Sequence, residues 1–423
     1  MGNHRVQTTS IRGSNAADPP DNFIRRKSLW NQLSTHSSEC IECKLCRKEC
    51  AFLRKYGSPK YIADTYDPAS LQHQKMPFEC SLCNLCAAVC PVKINPAAMF
   101  LEMRRESVDR GSQDFSNYRT ILNYEKRGTS KGYSYYTLPK NCDTVLFPGC
   151  ALPGTRPDKL KALFIHLQKT IPALGLVLDC CTKPSHDLGR QEHFCAMFNE
   201  MKKYLLQNRV KNVLVACPNC YKVYNQYGEP LNVKTVYEYL AETSLPETTN
   251  VNMTVTIHDP CSVRHNKEIH SAVRKLVTAK SLKIEEMKHT GPKTICCGEG
   301  GSVGCIDRIL AKGWGERRKI EAGRNRILTY CAGCANYLDP LVPTSHILDL
   351  LFDPEAALAG KAKVFKAPWT YLNRRRLKKY FIKKIPAAVS RERRFSAENS
   401  TSGKVFTVII LLSLLGSLIL ASL

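Results

Sequence analysis

The sequence lacks an apolar run at its amino terminus. Met1 to Asn22 is polar and carries Pro19-Pro20, so it offers no h-region of a secretory signal. A myristoylation pattern is missing as well, because Val6 occupies the position where Ser or Thr is required. Flavin and nicotinamide fingerprints are absent, and the loop holding Gly298, Gly300 and Gly301 has neither the spacing nor the following helix of one. Acids are scarce: 37 Asp and Glu stand against 62 Lys and Arg, a net charge of +25. The excess is concentrated, with 13 Lys and Arg between Lys361 and Arg394 opposed only by Glu392. An apolar run follows that segment, a pairing that fits a membrane surface better than nucleic acid. Without an export signal, the 21 cysteines are expected in a reducing compartment, where regular spacing means metal ligands rather than disulfides.

What is present is organised by those cysteines. The spacing Cys40-x2-Cys43-x2-Cys46-x3-Cys50 recurs as Cys80-x2-Cys83-x2-Cys86-x3-Cys90, followed by Pro91. This is the run of two-cluster bacterial ferredoxins, in which three cysteines hold one [4Fe–4S] cluster and the fourth reaches the other. The pattern assigns Cys40, Cys43, Cys46 and Cys90 to one cluster, and Cys80, Cys83, Cys86 and Cys50 to a second. Structural zinc also uses C-x-x-C pairs, but it has no use for a three-plus-one arrangement. Helix-like stretches after Pro59 and over Pro96 to Arg105 predict an α-helical rather than β-type ferredoxin domain.

A second pattern is written twice. Cys150 precedes the pair Cys180-Cys181 and then Cys217-x-x-Cys220; Cys261 precedes Cys296-Cys297 and then Cys331-x-x-Cys334. Thr144–Phe147 and 253–257 read as strands entering the single cysteines, and 212–216 and 326–330 as strands entering the C-x-x-C loops. Helices are predicted over 158–167, 269–280, 235–241 and 346–351. Alternating strands and helices predict a duplicated α/β domain with its ligands at the carboxyl ends of the strands. Cys142, Cys195 and Cys305 lie outside both patterns and read as buried spectators. His186 and Glu299, just after the cysteine pairs, are candidates for proton delivery; a loop-stabilising role is the alternative. Gly298, Gly300 and Gly301 are expected to let backbone N–H groups approach metal-bound sulfur.

The carboxyl-terminal part reads as a membrane attachment. Trp369, Leu372, Tyr380, Phe381 and Ile385 are spaced broadly as one face of a basic interfacial helix. Val405 to Leu423 carries no charge, and its length, about 28 Å as a helix, suits a bilayer core. It contains no His and so offers no haem ligand. The expected organisation is therefore a disordered 1–28, a ferredoxin-like domain over 29–110, a linker over 111–140, cysteine-rich halves over 141–245 and 246–355, a basic juxtamembrane segment over 361–404 and a transmembrane anchor over 405–423. The expected fold class is multidomain: an α-helical ferredoxin-like domain, a duplicated α/β cysteine-rich domain and a C-terminal transmembrane helix. The expected location is the cytoplasmic membrane, with the bulk of the chain on the cytoplasmic side by the positive-inside rule.

Residues 40 to about 352 resemble the catalytic iron–sulfur subunit of heterodisulfide reductase, in the form that fuses a ferredoxin part to a duplicated cysteine-rich (CCG) part. The second copy carries Cys296-Cys297-Gly298; the first departs from the motif with Thr182 after its pair. The resemblance implies two further, non-cubane [4Fe–4S] clusters facing a substrate disulfide. Cys150, Cys180, Cys181, Cys217 and Cys220 would hold one, and Cys261, Cys296, Cys297, Cys331 and Cys334 the other. Either set could instead hold a plain cube or zinc. The implied function is a membrane-anchored oxidoreductase moving electrons between a quinone or cytochrome b partner and a disulfide or thiol. The alternative is an electron-transfer and anchoring subunit of a separate dehydrogenase, as in the anaerobic glycerol-3-phosphate enzyme. Neither reading involves nucleic acid.

Overall fold

The computed structural model describes residues 20–246 and 251–395. Its amino-terminal part is helical. Short helices start where the local chemistry asks for them: Ser58 accepts the Tyr61 N–H ahead of Pro59, and Asn95 accepts the Ala98 N–H ahead of Pro96, each a polar N-cap followed by a proline preset for the first turn. Helices Pro20–Glu39, Pro59–Thr65 and Pro96–Asp109 pack together over Leu29, Leu33, Phe52, Ile62, Phe100 and Met103.

The rest is mixed α/β. In chain order its strands are β1 (Tyr135–Leu138), β2 (Thr144–Phe147), β3 (Gly175–Leu178), β4 (Asn212–Val215), β5 (Asn232–Thr235), β6 (Thr254–His258), β7 (Lys283–Ile284), β8 (Arg326–Thr329), β9 (Thr344–His346) and β10 (Val389–Arg391). One sheet has the order β10-β1-β3-β2-β4-β5 and the other β7-β6-β8-β9. The parallel set β3-β2-β4-β5 repeats as β7-β6-β8-β9, so the duplication in the cysteines is also one of strand order. The register agrees: Thr144 to Phe147 pair with Asn212 to Val215, and Val255 to His258 pair with Arg326 to Thr329. β1 and β10 extend only the first sheet, antiparallel. A continuous core runs between the halves, from Leu146, Phe164 and Leu214 to Ile257, Leu328 and Leu351, and the buried Arg156–Asp349 ion pair at 2.7 Å crosses it.

Two expectations are corrected. Among the described residues no helix is long and apolar enough to cross a membrane, and the stretch expected as the anchor, 405–423, lies outside the described residues. The fold class is thus a ferredoxin domain plus a cysteine-rich α/β domain, and the membrane location inferred from that anchor is withdrawn with it. The basic segment also packs on the chain itself, by one face, while Trp369 and Leu372 stay exposed. Helix Trp369–Lys384 packs on Ala151–Thr155 and Pro157–Gln168, burying Leu377 and Phe381, with Phe381 edge-on to Phe164. Some of its polar groups are used internally: Asn373 donates to Gly154 O, Lys378 pairs with Glu392, and beyond the helix Arg393 pairs with Asp179, both fully buried. The segment expected as a linker contains helix Arg119–Gly128 and β1.

Candidate metal centre

The two ferredoxin-type runs fold alike. Glu42 and Lys44 in the first, and Leu82 and Asn84 in the second, adopt left-handed backbone at φ 50°, 64°, 50° and 59°. Such alternation turns successive N–H groups into a concave loop, the geometry that cradles iron–sulfur groups; the Leu82 N–H already donates to Cys80 Sγ at 3.4 Å. Cys40, Cys43, Cys46 and Cys90, together with Cys86, line one hollow, and Cys50, Cys80, Cys83 and again Cys86 line another. Burial, then the neighbouring Cys40 and Cys43, push the Cys46 thiol up to about 11; burial, then Cys83, push Cys50 up to about 12. Every one of the 21 cysteines is unbridged. A group of four unbridged thiols at such a loop, with N–H groups turned toward it, fits a thiolate-ligated cluster. The first hollow lies near the surface, with Cys43 exposed; the second is buried.

In the α/β part, each strand delivers its cysteines at its carboxyl end. Cys217 and Cys331 cap the short helices Pro218–Tyr227 and Ala332–Leu338 with matching backbone, φ −117° and ψ 121° and 120°. Cys220 Sγ lies 3.4 Å from Cys181 Sγ. In both halves the second cysteine of the pair accepts from two thiols, Cys180 and Cys220 onto Cys181, Cys296 and Cys334 onto Cys297, and is pulled down to about 6. Cys150 and Cys261 complete the sets through Cys180 and Cys296 respectively. The structure therefore brings each five-cysteine set together, and each set fits a metal group by its donors alone.

The groups also abut one another. Cys83 of the second run faces Cys261 and Cys296 faces Cys83. Cys331 hydrogen-bonds Cys217 across the seam between the halves. The Tyr237 hydroxyl sits 2.8 Å from both Ala216 O and Tyr330 O, the residues just before the two C-x-x-C loops. Along the seam Cys150, Cys217, Cys261, Lys183 and Lys222 are half-buried and Glu299 is exposed. Packing and the Cys217 thiolate raise the Glu299 carboxyl, an effect its open side moderates.

Residues 36–94, which hold all eight cysteines of the two runs, match the family model of the 4Fe-4S dicluster domain, and residues 255–339 match that of the cysteine-rich domain. A subunit of the fumarate reductase (CoM/CoB) of Methanothermobacter marburgensis is 26% identical over 70% of this chain and 66% of its own. A subunit of the dihydromethanophenazine:CoB–CoM heterodisulfide reductase of Methanosarcina mazei is 25% identical over 57% of this chain and 66% of its own. A probable membrane-anchored ferredoxin of Chromohalobacter salexigens is 22% identical over 74% and 58%. The chain resembles heterodisulfide reductase subunits. It is an iron–sulfur protein of oxidoreductase-like kind, and the family resemblance seen in its cysteines stands. It spans about two thirds of the length of the curated relatives it matches.

Several residues around these cysteines were invisible to sequence reasoning. Arg104 is fully buried and spends all its N–H groups on carbonyls: Pro77 at 3.0 Å, Phe78 at 3.1 Å, Cys80 and Asp187 at 2.6 Å, and Gly301 at 3.1 Å. It ties the second run to both halves. Arg264 ties the same run to the second half alone, donating to Cys83 O and Pro292 O. Arg374 lies over Tyr124 and Tyr133 and beside Cys150 and Cys180. His186 is not brought to the thiols: its ring nitrogens engage Asp187 and Tyr227, both at 3.0 Å. The Gly298 N–H does reach Cys296 Sγ, at 3.3 Å, whereas Gly300 and Gly301 make room for the ferredoxin loop, since a Cβ on them would lie 2.7 Å from Ser81 O and 2.4 Å from Cys80 O. Thr182 takes the glycine conformation, φ 53°, without being glycine.

Proposed function

We propose that the chain is the iron–sulfur subunit of a disulfide-active oxidoreductase, exchanging electrons between a partner redox protein and a disulfide or thiol substrate at the seam of its two cysteine-rich halves. The observation that carries this reading is the unbroken series of facing cysteine groups, from the near-surface Cys40 set through the Cys80 set to Cys261 and, by Cys331 and Cys217, to the first half. Cys40, Cys43, Cys46 and Cys90 would hold one [4Fe–4S] cluster, Cys50, Cys80, Cys83 and Cys86 a second, and the two five-cysteine sets one further cluster each. Such groups, when bound, exchange electrons singly, and two exchanges are needed to reduce a disulfide to two thiols. The chain's own residues position and shield. Arg104 and Arg264 lock the second run against the halves. Burial of Cys80, Cys83 and Cys86 keeps water from that set, while the half-open seam admits substrate and the two protons that a disulfide takes up. Lys183 and Lys222 place positive charge beside Cys261, which favours the departing sulfur as thiolate. The exposed edge of the first run suits a docking electron partner.

A second reading, an electron-transfer subunit that docks a separate dehydrogenase and handles no substrate, is favoured by the ferredoxin name of one relative. Metal analysis with EPR on anaerobic protein separates the two. About sixteen iron per chain, with a paramagnetic signal induced by substrate thiol on partial oxidation, supports the first. About eight iron with ordinary reduced-cube signals and zinc in the remaining sites overturns it in favour of the second.

A further inference from the structure

His258 ends β6, three residues before Cys261, and is completely buried. Neither of its ring nitrogens has a hydrogen-bond partner. One of them and the Sγ atoms of Cys297 and Cys334 all lie within 4.8 Å of one another. The charged groups that face the ring are Arg318, Asp259, Glu321 and Arg264, and each has partners elsewhere, although the buried Arg318 Nε has none. Arg318 donates to His289 O and Thr294 Oγ1. Asp259 accepts from Arg274, Thr290, Gly291 and Tyr330. Glu321 binds His289 and Arg318, and Arg264 binds Cys83 O and Pro292 O.

A buried imidazole with two idle nitrogens is unfavourable unless a partner arrives with something that binds. Beside the ring stand the two thiols and whatever they hold, together with two other buried groups that lack partners, Arg318 Nε and the Thr329 Oγ1 of the strand position opposite. The duplication sharpens the point. At the end of β2, three residues before Cys150, the corresponding position is Phe147, equally buried and packed edge-on to Tyr224. One half presents a ring that hydrogen-bonds where the other presents one that does not.

We propose that His258 donates an N–H to sulfur of the metal centre held in the second half, so that this centre accepts an electron more readily than its counterpart beside Phe147. The inference rests on the reading that the second five-cysteine set binds an iron–sulfur group. A hydrogen bond to thiolate or sulfide stabilises the more negative, reduced state and raises the potential. His258 is thus a positioning and tuning residue rather than a ligand, and it makes the two halves unequal.

The test is an EPR-monitored redox titration of the full, metal-loaded chain as wild type, His258→Phe, which copies the first half, and His258→Gln, whose amide keeps an N–H. The expected result is a fall in one midpoint of at least about 59 mV in His258→Phe, tenfold in the oxidised-to-reduced ratio for one electron, at unchanged iron content, with most of the loss recovered in His258→Gln. Should neither variant fold, pulsed EPR of wild-type chain carrying ring-15N histidine decides: weak nitrogen coupling supports the donor role, and its absence overturns it. Unchanged midpoints at full iron overturn the role of His258 alone. Strong coupling, or selective iron loss in His258→Phe, makes His258 a ligand and also overturns it. A wild-type chain with no second-half centre at all overturns this inference together with the reading beneath it.

Discussion

Replacing Arg104 by Met tests how the ferredoxin part is held. The methionine keeps the apolar stem and removes a guanidinium that donates to five carbonyls, on Pro77, Phe78, Cys80, Asp187 and Gly301. Hydrogen bonds to a charged group are worth about 1.5–3 kcal/mol each, but the five do not simply add. Removing the cation also recovers its desolvation, and Pro77 O keeps the Cys80 N–H. Loss of one member of a buried charged network costs about 3–5 kcal/mol, and that is the loss expected here. Urea unfolding of the metal-loaded chain measures it, followed both by visible absorbance and by far-ultraviolet dichroism. Hydrogen exchange then localises it. Protection should fall together around residues 77–81, 187–189 and 300–302, because one side chain serves all three. A loss below about 1 kcal/mol would refute the energetic argument. Protection lost around 77–81 alone would refute the claim that Arg104 couples the domains.

Three further outcomes follow from the same geometry. Thr182→Gly should raise stability by about 1 kcal/mol, because φ 53° and a buried, unpartnered Oγ1 both penalise threonine; a lower melting temperature contradicts this. Arg374→Met should weaken metal retention in the first half about tenfold, as loss of outer partners commonly does, while Arg374→Lys keeps most of it; iron analysis after chelator challenge reads the difference, and equal retention in the Met variant refutes it. Cys142 is buried, donates to Thr144 O at 3.3 Å, and has its thiol pushed up to about 11. Being protonated below that value, it should resist iodoacetamide at pH 8 at least about a hundredfold better than a free thiol, and labelling should rise only as pH nears 11; rapid labelling of the folded chain at pH 8 would show it to be accessible.

The strands that lead to the single cysteines and the C-x-x-C loops were legible because chemistry marks both of their ends, whereas β3, ahead of Cys180-Cys181, was not. Short β-branched runs at Thr144, Asn212 and Arg326 run directly into a cysteine or C-x-x-C loop, and the structure differs there by a residue or so. Their neighbours were not. β7 is two residues, β9 is Thr-Ser-His, and β10 is Val-Ser-Arg inside a charge run; none is long enough to show a period of two, and all are strands because a neighbouring edge pairs with them. The inward face of the basic segment was hidden for a related reason. A helix rich in Lys and Arg ordinarily faces solvent, and only the fold reveals that Tyr124 and Tyr133 form an aromatic seat for Arg374. Arg104 carries no local signal, since its partners are backbone carbonyls up to 197 residues away.

The duplication constrains the thiols and leaves their surroundings free to diverge. Matched strand order and matched backbone at Cys217 and Cys331 give the halves the same donor geometry, so any division of labour between them has to come from neighbours. Those neighbours differ on every side. The thiols of the second ferredoxin run face those of the second half, Cys83 against Cys261, and Gly300 and Gly301 are pressed against the Cys80–Ser81 backbone. The first half alone gains β1, β10 and the Arg374 helix. Phe147 and His258 occupy one position in the two copies. In the order of facing thiols, the second-half set comes between the second ferredoxin run and the first-half set, and it has the polar neighbour. Two equivalent centres would require none of these differences; two centres with ordered potentials would require differences confined, as here, to groups around an unchanged set of thiols.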